Sequence, residues 1–174
     1  MPTAARLPPA DEADLRDKTL QSLAPYRDGR GRIYAIFATL AHHEDALRRF
    51  LVFSNHVLGK NTLPVRSREL MILRIAARAR AAYAWDQHVR IARRAGLADE
   101  EILQAATGSW RDLDELDQVL LSATDSLIER YGVDDDLWTL LQEHLSVQQI
   151  IDVLYARRPV PHGRDGDQHP GRSA

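Results

Sequence analysis

The chain has 174 residues, a formal net charge of -2 and no cysteine. A chain of this length can bury most of its apolar surface in one domain. The charge supplies no basic field for nucleic acid, and the missing thiols exclude disulfides, thiolate metal sites and thiol nucleophiles. The first residues lack the basic and apolar pattern of a signal peptide, and no segment has the apolar length to cross a bilayer. A cytoplasmic protein with neither a membrane nor a nucleic-acid partner is expected.

Helical spacing recurs almost throughout and no alternating strand stands out, which predicts an all-α fold of about eight or nine helices. Residues 1–10, rich in Pro and Ala, read as a loose arm, and 11–156 as one helical domain. A weakly amphipathic helix is expected over 13–23, then a turn over 25–32 around Asp28-Gly29, and a helix over 33–40. The run 44–58 places Leu47, Phe50, Leu51, Ser54 and Leu58 on one face, with Gly59 positioned for a left-handed cap. His42-His43-Glu44-Asp45 has the composition of a ligand cluster, but adjacent histidines point to different sides of a helix. A helix start with solvated charges accounts for that run, and no metal site is expected.

Pro64 suits the start of the next helix, 64–80, which is apolar nearly all round at Leu70, Met71, Ile72, Leu73, Ile75, Ala76 and Ala77. Such a helix belongs at the centre of a fold, covered on more than one side. Over 81–95, helical spacing aligns Ala81, Ala84, Trp85, His88, Ile91, Ala92 and Ala95, so His88 lies on an apolar stripe. Gly96 ends that helix, and Asp99, Glu100 and Glu101 supply acidic residues to the first turn of another. Long helices follow over 112–131 and 135–145, where Asp134-Asp135-Asp136 is a helix start lacking the glycine and terminal glutamate of a calcium loop. Ser146 with Gln149 reads as a capping box for a last helix, 147–155.

The stretch Arg68-Glu69-Leu70-Met71-Ile72-Leu73-Arg74-Ile75-Ala76, then Tyr83-Ala84-Trp85-Asp86-Gln87-His88-Val89, resembles the carboxymuconolactone decarboxylase family, also called alkylhydroperoxidase D-like. The likeness spans residues 34–155 and is most specific over 63–102. It implies an alkylhydroperoxidase D-like helical bundle and a homo-oligomer. In the hydroperoxidase branch a glutamate, two cysteines and a histidine stand at the spacing held here by Glu69, Ala81, Ala84 and His88. There the cysteines reduce peroxide through a disulfide while glutamate and histidine manage protons. Two alanines cannot be oxidised, so a peroxidase (antioxidant) label does not transfer to this chain.

What the resemblance leaves is an acid–base pair, His88 as the proton carrier and Glu69 as its orienter. Tyr83, Trp85 and His56 are the candidates for binding a small-molecule substrate or ligand. The implied chemistry is decarboxylase-like, a carboxy-lyase acting without a cofactor on a small carboxylic acid or lactone. The alternative is a catalytically silent, oligomeric ligand-binding protein in which His88 is a core residue, Glu69 pairs with Arg66 or Arg74, and Trp85 and Tyr83 are packing contacts. Cysteine-free relatives commonly carry an acidic residue four positions before the histidine, where this chain has Ala84.

After Tyr155 the helical pattern stops, and 157–174 is rich in Arg, Pro, Gly and His, the composition of a disordered tail. The resemblance implies an apolar helix there instead. Read from the second base of the Arg157 codon, codon degeneracy permits Val-Gly-Gln-Tyr-Leu-Met-Val-Ala-Met-Ala-Ile-Asn-Thr-Leu-Gly. A frameshift near Ala156 is therefore expected, and the coding DNA decides it.

Overall fold

The computed structural model describes residues 7–156. The expected arm is described only from Leu7 onward, and the expected tail, with its frameshift, lies outside the described residues. Nine α-helices run through the described residues: α1 (Asp17–Leu23), α2 (Ala35–Leu40), α3 (Glu44–Asn55), α4 (Val65–Ala79), α5 (Ala82–Arg94), α6 (Asp99–Thr107), α7 (Glu115–Arg130), α8 (Asp135–His144) and α9 (Val147–Ala156). An isolated bridge between Arg27 and Ile33 is the β-type pairing among them, so the fold is all-α as the periodicity predicts. The chain divides into two compact units, one ending at His56 and one beginning at Val57.

In the first unit α1, α2 and α3 bury Leu23, Ile33, Phe37, Ala38, Ala41, Leu47 and Leu51 in one cluster, with the Tyr26 and Phe37 rings 4.5 Å apart. Ala10 is tied to this unit by its N–H, which donates to the Ala38 carbonyl at 3.1 Å. Glu44 opens α3 and gathers Arg16 Nε at 2.9 Å, the Arg16 backbone N–H at 3.2 Å and the Thr19 hydroxyl. His43 is the N-cap of α3, its Nδ1 accepting from the Ala46 N–H at 3.2 Å, while His42 Nε2 lies 2.9 Å from the Pro8 carbonyl. Those contacts bear out the helix-start reading of the histidine pair. In the turn after Tyr26 the left-handed residue is Gly31 (φ 77°), because Asp28 folds back to accept from the Arg30 and Arg32 N–H groups.

Gly59 does not cap α3. The helix ends by widening into a π turn, His56–Lys60, with Gly59 inside it. An i→i+5 turn takes up an extra residue, so the apolar spacing through 58 continues without an α-helical stop.

In the second unit α4 packs against α5, α6, α7 and α9. Its all-round apolarity is explained by two separate clusters. Met71 joins Leu120, Leu127, Leu141, Ile150 and Val153 from α7, α8 and α9, while Leu70 and Leu73 join Ala92, Ile102, Ala105 and Leu121 from α5, α6 and α7. Burial of each Leu or Met of this kind contributes about 1.5–3 kcal/mol, so α4 is the axle of this unit. Arg74, 5% exposed, adds a polar lock: both Asp125 oxygens accept from it at 2.7 Å, the Ala105 and Ala106 carbonyls accept at 3.1 and 3.2 Å, and its guanidinium lies 4.9 Å from the Trp110 ring centroid. Arg66 similarly joins Glu101 and Asp117 to the first turn of α4.

The helix ends follow local chemistry. Gly96 takes φ 93° after α5, Asp134 caps α8 by accepting from the Leu137 N–H, and Ser146 and Gln149 form the reciprocal box predicted for α9. No described helix is long and apolar enough to cross a membrane.

Candidate functional site

The site is built on the hairpin of α4 and α5. Arg80 at the C-cap of α4 is left-handed (φ 53°), and only Arg80 and Ala81 separate the two helices, so α5 turns straight back along α4. That turn brings together residues 19 positions apart. His88 Nδ1 lies 2.7 Å from Glu69 Oε2, with Glu69 2% exposed and the His88 side chain 19% exposed.

The contact to an acceptor carboxylate favours one tautomer. An ionised carboxylate only accepts, so Nδ1 carries the hydrogen, and the lone pair of the neutral ring sits on Nε2. Nε2 makes no hydrogen bond to a described residue. It is therefore the ring atom through which a proton can be taken or delivered.

Glu69 pairs with neither Arg66 nor Arg74, each of which is committed elsewhere. Its second oxygen, Oε1, accepts from Arg68 Nε at 3.3 Å, and Arg68 is itself 9% exposed. Sequence reasoning gave Arg68 no role, since an Arg-Glu pair ahead of an apolar run does not disclose which cation will be buried.

The remaining candidates fall in different surroundings. Trp85 packs with Val89 and Ala95 onto the cluster containing Leu70 and Leu73, while Tyr83 is 38% exposed. His56 belongs to the first unit, where it ends α3 and opens the π turn. Ala81 is the N-cap of α5 and Ala84 lies in its first turn, both half-buried. Ile91, expected on the buried stripe, is 38% exposed. The stripe meets the core through Trp85, Val89 and Ala92, leaving the edge that carries His88 and Ile91 more open. Among the described residues no group of three or more His, Asp or Glu side chains gathers as a metal site.

An all-helical chain with a carboxylate–imidazole pair on a helical hairpin, and alanines at 81 and 84, has the frame of an alkylhydroperoxidase D-like protein without its thiols. Residues 44–111 match the carboxymuconolactone decarboxylase family. That match covers part of the chain, which carries no cysteine at the positions where the hydroperoxidase branch has its pair. Among solved structures it is similar to a peroxidase-related protein of Ralstonia eutropha with an alkylhydroperoxidase AhpD core (TM-score 0.74, 22% identity, covering 88% of this chain and 83% of that one). A peroxidase-related protein of Silicibacter sp. gives a TM-score of 0.72 at 18% identity, covering 90% and 83%. The debrominase Bmp8 gives 0.67 at 11% identity, covering 87% and 82%. These likenesses establish the fold. A search of curated proteins finds no match.

Proposed function

We propose that the Glu69–His88 pair carries out cofactor-independent acid–base chemistry, of the decarboxylase type, on a small carboxylic acid or lactone. The observation that supports this reading is the 2.7 Å contact from buried Glu69 to His88 Nδ1, which leaves Nε2 open. Loss of CO2 from an acid conjugated to a carbonyl leaves its electron pair on carbon as an enolate. The imidazolium Nε2–H delivers a proton to that carbon, and Glu69 holds the ring in the tautomer that can be recharged. A turnover screen of lactone acids with the full chain, with His88→Ala as control, tests it: turnover lost in the variant supports the reading, and no turnover on any acid counts against it.

A second reading is a catalytically silent ligand-binding protein that assembles with copies of itself. Its support is the face of α9 on which Val147, Ile151 and Leu154 follow at helical spacing and are 70%, 43% and 36% exposed, beside Trp138 of α8 at 38%. An apolar row of this kind on a helix is a surface for association. Bmp8 has been seen, as a cysteine-to-alanine variant, in complex with 2,3,4-tribromopyrrole, and a planar ring is a reasonable ligand class for this reading also. Ligand binding that survives His88→Ala, without turnover, favours it. Self-assembly is compatible with either reading.

A further inference from the structure

Four arginines of α4 leave its surface toward acidic groups, and three of them place both Nη atoms against partners. Arg66 reaches Glu101 and Asp117, Arg78 reaches Asp125 and Glu129, and Arg74 uses all three guanidinium nitrogens on Asp125 and two carbonyls. Arg68 is the exception. It is buried almost as deeply as Arg74, 9% against 5% exposed, yet its one hydrogen bond among the described residues is Nε to Glu69 Oε1 at 3.3 Å.

Neither Nη atom of Arg68 bonds a described residue. The Arg68 side chain keeps 11% of its surface exposed. A planar cation that spends one N–H on a neighbouring carboxylate and has four without a partner among the described residues can receive a second planar anion. Glu69 already occupies the Nε edge, so structural neutralisation does not explain the unused fork.

We propose that Arg68 is the anion-recognition residue of this site, holding a substrate carboxylate on its Nη groups beside the Glu69–His88 pair. This rests on the acid–base reading for its chemistry but not for its binding. Arg68 and His88 sit on opposite oxygens of the Glu69 carboxylate. With neutral His88 the three side chains sum to zero charge, and an incoming carboxylate makes the set negative until His88 takes a proton. The carboxylate held by Arg68 is not the one lost, because a cation on a departing carboxylate stabilises the ground state rather than the transition state.

The test is binding, with benzoate and its neutral analogue benzamide titrated into the full chain while the His88 ring signals are followed by NMR. Benzoate is expected to perturb His88 and to bind at least ~tenfold more tightly than benzamide. Arg68→Gln is expected to reduce benzoate affinity to the benzamide level without changing benzamide, and Arg68→Lys to retain part of the preference. Should Arg68→Gln not fold, the benzoate-to-benzamide ratio in the native protein and in Arg68→Lys still decides. Equal affinities for the two probes, an unchanged ratio in the Arg68 variants, or no binding of either overturns the assignment. Absence of turnover on every lactone acid would sink the acid–base reading and leave this one standing.

Discussion

His88 Nδ1 and Glu69 Oε2 stand 2.7 Å apart, joining the helices of a hairpin whose turn is two residues long. The carboxylate sits between two cations-in-waiting, Arg68 on one oxygen and the imidazole on the other. Removing it should have two separable consequences. Glu69→Ala leaves Arg68 buried without its counter-charge and is expected to cost about 3–5 kcal/mol of stability. Glu69→Gln keeps the shape and lowers kcat on any substrate found by the screen, while His88→Gln lowers it by about 10²–10⁴-fold and removes the ionisation of His88 from the pH–rate profile. Urea titrations and steady-state kinetics check both. A Glu69→Ala protein as stable as the native chain would show that the pair is not structurally tied.

Ala81 at the N-cap of α5 and Ala84 one turn on define what restoring the thiols should do. A cysteine at a helix N-terminus has its thiolate favoured by the backbone N–H groups, and one at the next turn is close enough to resolve a sulfenic acid into a disulfide. The Ala81→Cys, Ala84→Cys double variant is therefore expected to consume hydrogen peroxide with dithiothreitol as reductant, at least ~tenfold faster than either single variant, and to lose that gain when His88→Ala is added. A peroxide consumption assay reads it. A double variant no better than the singles would mean that peroxide does not reach positions 81 and 84 together.

Much of the fold was legible because local patterns determine it. The apolar belt of α4 anticipated a helix covered on several sides, and Gly96, Asp134 and the Ser146–Gln149 pair marked their helix ends. The Glu69–His88 pairing was anticipated by the resemblance rather than by periodicity. What escaped was set by contacts distant in sequence. The fork of Arg74 on Asp125 spans 51 positions, and nothing in the α4 sequence distinguishes Arg74, fully engaged, from Arg68, which is not. The π turn at His56–Lys60 likewise escaped, because a single residue added to a helical turn leaves the apolar spacing looking like more helix.

Arg74 makes a clear stability prediction. Its planar fork meets both Asp125 oxygens and two carbonyls from the end of α6, a set that a lysine cannot reproduce with one ammonium. Arg74→Met should cost about 3–5 kcal/mol by leaving Asp125 with Arg78 alone, at 3.7 Å, and the two carbonyls without a donor. Arg74→Lys should recover part of that loss, and chemical denaturation of the three proteins would show the order. Equal stability for the lysine variant and the native chain would contradict the importance of the fork.

The apolar row on α9 offers a surface on which copies could associate, a proposal that one substitution tests. If Val147, Ile151 and Leu154 form the contact between copies, Ile151→Asp should shift the protein to smaller species in sedimentation velocity while leaving its helical circular dichroism unchanged. Ile151 is 43% exposed within one chain, so the change is tolerated by the isolated fold. An unaltered sedimentation profile would move the interface elsewhere.

The first unit carries an acid-sensitive clamp at Glu44. The Thr19 hydroxyl, opposed by partial burial and aided by Arg16, holds the Glu44 carboxyl below its ordinary value of 4.5. Arg27 does the same for Glu12, and the Arg32 backbone N–H for Asp28, whose ordinary value is 3.8. Each folded value lies below the unfolded one, so the unfolded chain binds more protons in the window between them and stability falls as pH drops through it. The contribution is fully present above 4.5 and drains below it. In thermal melts from about pH 6 to pH 3.5, the native protein should lose more of its Tm than Glu44→Gln does, so that the two curves converge at the acid end. Parallel curves would mean that Thr19 and Arg16 hold Glu44 no more tightly in the folded chain than water does in the unfolded one.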